Sequence, residues 1–116
     1  MTTITISPST VAESIQRVRD AARALGEARA AEQALEDERA LVKRDAITRL
    51  MAAGRAASVT AAEKVVEEDE AYAAHRASQR AAVVATQVAW GEWEAAKLDG
   101  QLAVALAVDG AIATVG

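Results

Sequence analysis

The sequence predicts an all-α fold: a long antiparallel two-helix hairpin, coiled-coil-like, that assembles into a helical bundle. Three observations lead there. The chain of 116 residues holds 31 alanines but no Phe, two Trp and one Tyr, and alanine favours helix and disfavours strand. Proline occurs once, at Pro8, so beyond the start no residue of that kind breaks a helix. Apolar positions recur at a spacing near 3.5 residues, the period of helices packed side by side. A sheet-based domain of this length needs far more Val, Ile and Phe.

The elements follow in order along one domain, 1–116. Residues 2–6 alternate Thr and Ile, the period of an extended chain, so an arm is expected over 1–7. Pro8 suits a first helical turn, where its missing N–H has no partner to lose. Thr10 and Glu13 offer a capping box as a second possible start. The first helix is expected over 8–53, and Gly54 sits where a left-handed C-cap ends it. Residues 54–60 form the loop. Thr60 and Glu63 make another capping box, with Val59 as its hydrophobic staple. The second helix is expected over 61–108 and the tail over 109–116. At 1.5 Å per residue each helix is about 65–70 Å long, and a loop this short sets the two antiparallel.

The expected seam of the first helix runs through Val11, Ile15, Val18, Ala22 and Leu25, blurs over Glu27–Arg39, and resumes with Val42, Ile47, Leu50 and Met51. On the second helix it runs through Ala62, Val66, Ala73, Ala77, Ala81, Val84, Val88, Gly91, Ala95, Leu98 and Leu102. A turn centred near residue 57 places Trp90 opposite Gly26, where a missing side chain leaves room for the indole. It places Glu67-Glu68-Asp69-Glu70 beside Lys43, Arg44 and Arg49. It also brings the arm near 108–112, where it could pair with residues 111–115.

Composition removes much chemistry. Without Cys there is no disulfide framework, thiolate nucleophile or zinc–thiolate site. His75 is the one histidine, and the position three before it is Tyr72, so the E-x-x-H of a di-iron bundle fails. No glycine-rich phosphate loop occurs. No cofactor, metal or catalytic residue is expected, and the chain reads as a non-enzyme. The net charge of −4 argues against direct nucleic-acid binding, which favours a basic excess. Asp99, Gly100, Gln101, Asp109 and Gly110 interrupt the most apolar stretch, so no membrane span is expected and a cytoplasmic protein is the reading.

Two groups are candidates for interaction. Trp90 and Trp93 share a helix face at i and i+3 and supply the aromatic anchors that dominate many interfaces. Trp90 is assigned the interior and Trp93 the rim. The acidic run Glu67, Glu68, Asp69 and Glu70 either pairs with the first helix or mimics nucleic-acid phosphates. A lone hairpin seamed with alanine buries little apolar area, so a homo-oligomer, dimer or larger, is expected.

Several stretches carry a resemblance: Ala34-Leu35-Glu36-Asp37-Glu38-Arg39-Ala40-Leu41, Ile47-Thr48-Arg49-Leu50-Met51, Thr60-Ala61-Ala62-Glu63-Lys64-Val65-Val66-Glu67, Tyr72-Ala73-Ala74-His75 and Glu94-Ala95-Ala96-Lys97-Leu98. Over roughly 30–105 the chain resembles small helical-hairpin accessory proteins of tailed bacteriophages and prophages. That resemblance implies a phage protein in the host-cell cytoplasm, acting with recombination or DNA-handling machinery. Two readings therefore stand: a self-associating interaction module, or an inhibitor that offers its acidic helix as a decoy to a host nuclease or defence protein.

Overall fold

The structure, a computed structural model, describes residues 8–115, with side chains from 10 to 110. It is all-α, and no strand occurs among the described residues. α1 spans Pro8–Ala52, α2 Val59–Lys64 and α3 Glu70–Val115, with a single 3-10 turn at Val66–Glu68 between α2 and α3. α1 and α3 are the two arms of the predicted hairpin. The second helix expected over 61–108 is interrupted at residues 65–69, and its helical conformation continues to Val115 through most of the expected tail. Strand-like pairing of 111–115 with the arm is therefore excluded on the tail's side, while the arm over 1–7 lies outside the described residues.

Contacts divide the chain into two units, one of residues 28–85 and one combining α1 up to Glu27 with α3 from Thr86 onward. In the unit of residues 28–85, the end of α1 carries a Schellman motif. Gly54 takes φ +72, its N–H donates to the Met51 carbonyl at 3.1 Å, and the Arg55 N–H donates to the Leu50 carbonyl at 2.9 Å. A residue with a Cβ resists that φ, which explains the glycine. The N-cap of α2 is Ser58, not Thr60: the Ser58 hydroxyl accepts from the Ala61 N–H at 3.1 Å. The chain turns again at Asp69, which is extended at φ −75, ψ 121. Its carboxylate accepts from the Tyr72 N–H at 3.0 Å and so caps α3. Two β-branched residues, Val65 and Val66, precede that stop. They fill the space under the fold-back: Ala46, Leu50, Ala62, Val66 and Tyr72 form a buried cluster, with Val42, Ile47, Ala56 and Val65 packed on it.

The seams differ in phase from the expected ones. In the same unit, α3 turns Tyr72, His75 and Gln79 inward, while Ala73, Ala77 and Ala81 are exposed. In the other unit the covered series on α3 is Thr86, Ala89, Trp93, Ala96, Gly100, Ala103 and Ala107, a 3-4 alternation without a slip. Val88, Leu98 and Leu102 lie on the opposite side and are more than half exposed. On α1, Ser14 and Ala21 replace the expected Ile15 and Ala22. The physical reason is that α3 carries two heptad series at once. The series with smaller side chains lies against α1, because small residues allow close approach: a Cβ added at Gly100 would stand 3.4 Å from Val18 Cγ2.

Candidate interaction surface

The four acidic residues singled out in the sequence do not act as a group. Asp69 is consumed internally: Arg49 Nε donates to Oδ1 at 2.9 Å and Arg49 Nη2 to Oδ2 at 2.8 Å, a bidentate pair. The Arg49 hydrogen bond, opposed by burial and helped by the Tyr72 N–H, lowers the Asp69 carboxyl to about 2. Arg49 is raised in turn, chiefly by the same hydrogen bond. Glu68 pairs with Arg55 of the loop, where Lys43 and Arg44 were the expected partners beside Arg49. Glu67 and Glu70 are exposed. One face carrying four unengaged carboxylates is not present.

The tryptophans exchange the roles assigned to them. Trp90 is 50 % exposed, and a Cβ added at Gly26 would meet nothing within 4 Å, so Gly26 makes no notch for an indole. Trp93 occupies the inner series, half-buried. Lys97 Nζ sits 3.6 Å from the centroid of its ring and 2.8 Å from Glu94 Oε1. Ring face, ammonium and carboxylate thus stack along one side of α3, an arrangement that desolvates the ring without burying a bare charge. Trp93 adds aromatic area to the α3 side of the seam, which is otherwise lined by small residues.

Sequence reasoning passed over a polar layer in the unit of residues 28–85. His75 is 9 % exposed, and both ring nitrogens are buried without a hydrogen-bond partner. Its nearest ionic neighbour is Glu38, with Nε2 and Oε2 3.8 Å apart. One turn further on, Gln79 donates to Glu36 Oε2 at 3.2 Å and accepts from Arg76 Nη1 at 3.1 Å. A histidine at the spacing of Tyr72 and Gln79 was the available signal. It is hidden because the inward series of α3 is polar here and interrupts the apolar spacing. No group of three or more His, Asp or Glu side chains poised for a metal ion occurs among the described residues.

The largest unsatisfied feature is apolar. In the unit built on α3 from Thr86 onward, Val88, Trp90, Leu98, Leu102, Val104 and Val108 are each between 44 % and 64 % exposed. Ile15 of α1 joins them, and with Val18, Gly100 and Val104 it lines an open groove of about 610 Å³. A helix that carries a second apolar face beside the one it buries ordinarily has that face covered too. No helix among the described residues is long and apolar enough to cross a membrane. The chain matches no protein family, no curated protein and no solved structure in any of the three comparisons made with it.

Proposed function

We propose that this chain is a non-enzymatic, self-associating helical module for protein–protein interaction. One observation carries the reading. In the unit that ends α3, that helix turns small residues and Trp93 toward α1 while Val88, Leu98 and Leu102 face outward. Exposed apolar patches of this extent mark interaction sites on soluble proteins. The resemblance of residues 30–105 to phage hairpin proteins adds a setting to the proposal, the host-cell cytoplasm beside recombination or DNA-handling machinery. The decoy reading has less behind it, because Asp69 and Glu68 are engaged within the hairpin.

The test is the concentration dependence of thermal unfolding. Association of the folded chain raises the midpoint by mass action, so a rise of several degrees between about 1 and 100 µM is expected. A concentration-independent midpoint, with a cooperatively folded monomer in sedimentation, would sink the proposal.

A further inference from the structure

We infer that a second copy of this chain seats against the outward side of α3, with the two α3 helices antiparallel and the large side chains of each set on the small ones of the other. The inference rests on the reading of the chain as self-associating and names the surface that performs it. On α3 from Thr86 onward, the residues two places beyond the inner series lie about half a turn away from α1. They are Val88, Gly91, Ala95, Leu98, Leu102 and Ala105, all exposed, at the same 4-3 alternation as the inner series. In a helix pair that stands alone, such positions are polar. The outward side of α1 in this unit obeys that rule with Glu13, Gln16, Asp20, Arg23 and Glu27, and Gln16 donates to Asp20 at 2.8 Å. Only the α3 side of the pair is built as a second seam.

The order of sizes along this seam specifies its partner. Small residues, Gly91 and Ala95, come first, and large ones, Leu98 and Leu102, come after. Antiparallel apposition with its own copy sets Leu102 over Gly91, Leu98 over Ala95 and Val88 against Ala105, the large-on-small layering that fills a core. The contact is isologous and closes as a two-fold dimer. A parallel pair would set glycine on glycine and leucine on leucine. Gly91 is free for this role, since a Cβ there would meet nothing within 4 Å. The half-exposed large side chains of this face, Leu106 and Val108 included, offer about 80–100 Å² each. With the intervening alanines that is on the order of 600 Å² per copy, close to the roughly 800 Å² per partner of a specific interface. At the rim Glu92 meets Asp99 of the second copy, so salt screens a repulsion and does not weaken the pair.

Sedimentation equilibrium of the full chain tests the surface. The wild-type chain is expected to dimerise at tens of µM, and added salt is expected to leave the dimer unchanged or tighten it. Leu98→Glu and Leu102→Glu each place an unpaired charge in the contact and should weaken it about 100-fold or more, with helical circular dichroism retained. Arg23→Glu, on the outward side of α1, should leave association unchanged. Because the chain has no cysteine, Gly91→Cys mixed with Leu102→Cys should oxidise chiefly to the mixed 91–102 disulfide. A monomer up to about 100 µM overturns self-association and this surface with it. A dimer indifferent to both Glu substitutions, or one that salt dissolves, keeps self-association and overturns this surface. A predominant 91–91 disulfide overturns the antiparallel arrangement.

Discussion

Two oxygens of Asp69 serve three donors: the Tyr72 N–H that opens α3 and both arms of the Arg49 guanidinium. A carboxylate so held resists protonation, and its carboxyl lies at about 2, below the ordinary 3.8. A lowered folded-state value means that the stabilisation is complete above about pH 4 and disappears as pH falls through 2. Asp69→Ala is therefore expected to lose about 1–2 kcal/mol at neutral pH, the range for deleting a helix cap. Its thermal midpoint should converge on that of the wild type as the pH approaches 2. His75 is the opposite case, a polar ring without partners for its nitrogens. Replacing an unpaired buried polar group by an apolar one of similar size removes a desolvation penalty of about 1–3 kcal/mol. His75→Leu should thus raise the melting temperature, and a marked fall would show that an unseen partner satisfies the ring. For the tryptophans, Trp93→Ala should cost about 2 kcal/mol, since a fully buried Trp costs roughly 3–5. Trp90→Ala should fall within about 0.5 kcal/mol in dilute protein, as exposed substitutions do. Urea unfolding of the two variants decides the order.

At the scale of elements, one stop was legible, at Gly54, while the ends beyond it and both faces differed from expectation. Gly54 is a left-handed C-cap in sequence and in structure, because only the φ +72 geometry closes the last turn of α1 onto Leu50 and Met51. Gly54→Ala should lose about 1–2 kcal/mol in denaturant unfolding, the price of a left-handed L-residue. The stop at Asp69 was missed, because the Pro-free, Gly-free run on either side of it reads as one continuous helix. Ser58 and Thr60 compete for the same cap, and sequence gives no reason to prefer the earlier. The faces failed for a different reason. Hydrophobicity ranks Val84, Val88, Leu98 and Leu102 above Ala82, Thr86, Ala89 and Ala96, so a seam chosen by hydrophobicity lands on the outward series. Which of two heptads meets α1 is decided by how closely the backbones approach, and single side-chain rankings do not carry that. Trp90 was placed inward by a register that set it opposite Gly26, and that register fails because Gly26 faces open space and Trp93 holds the inner series.

For the molecule as a whole, apolar cover is unevenly distributed. The unit of residues 28–85 closes on a buried cluster of Leu50, Val66 and Tyr72 under α2. The other unit relies on alanine, glycine, Leu25 and a half-covered Trp93. Burial at about 25 cal/mol per Å² stabilises the first far more than the second. Amide hydrogen exchange should accordingly show residues 42–75 protected at every concentration. Protection of residues 86–108 should grow as the protein is concentrated. Equal protection of both at submicromolar concentration would contradict this picture.

The two stops between α1 and α3 carry a further consequence. Gly54 with its left-handed turn and Asp69 with its bidentate arginine both hold the chain bent. No residue between them is Gly or Pro, and alanine-rich segments favour helix. If both stops were removed, α1, the connection and α3 could run on as one continuous rod, each arm then finding its partner in another molecule. Exchange of identical elements of this kind is a hazard of altered hinge loops. The bend therefore selects against domain-swapped assembly. Gly54→Ala combined with Asp69→Ala is expected to convert a closed hairpin into a chain prone to interlocked dimers. Such dimers are expected to form slowly, through opened chains, and to persist in size-exclusion chromatography when Leu98→Glu is added.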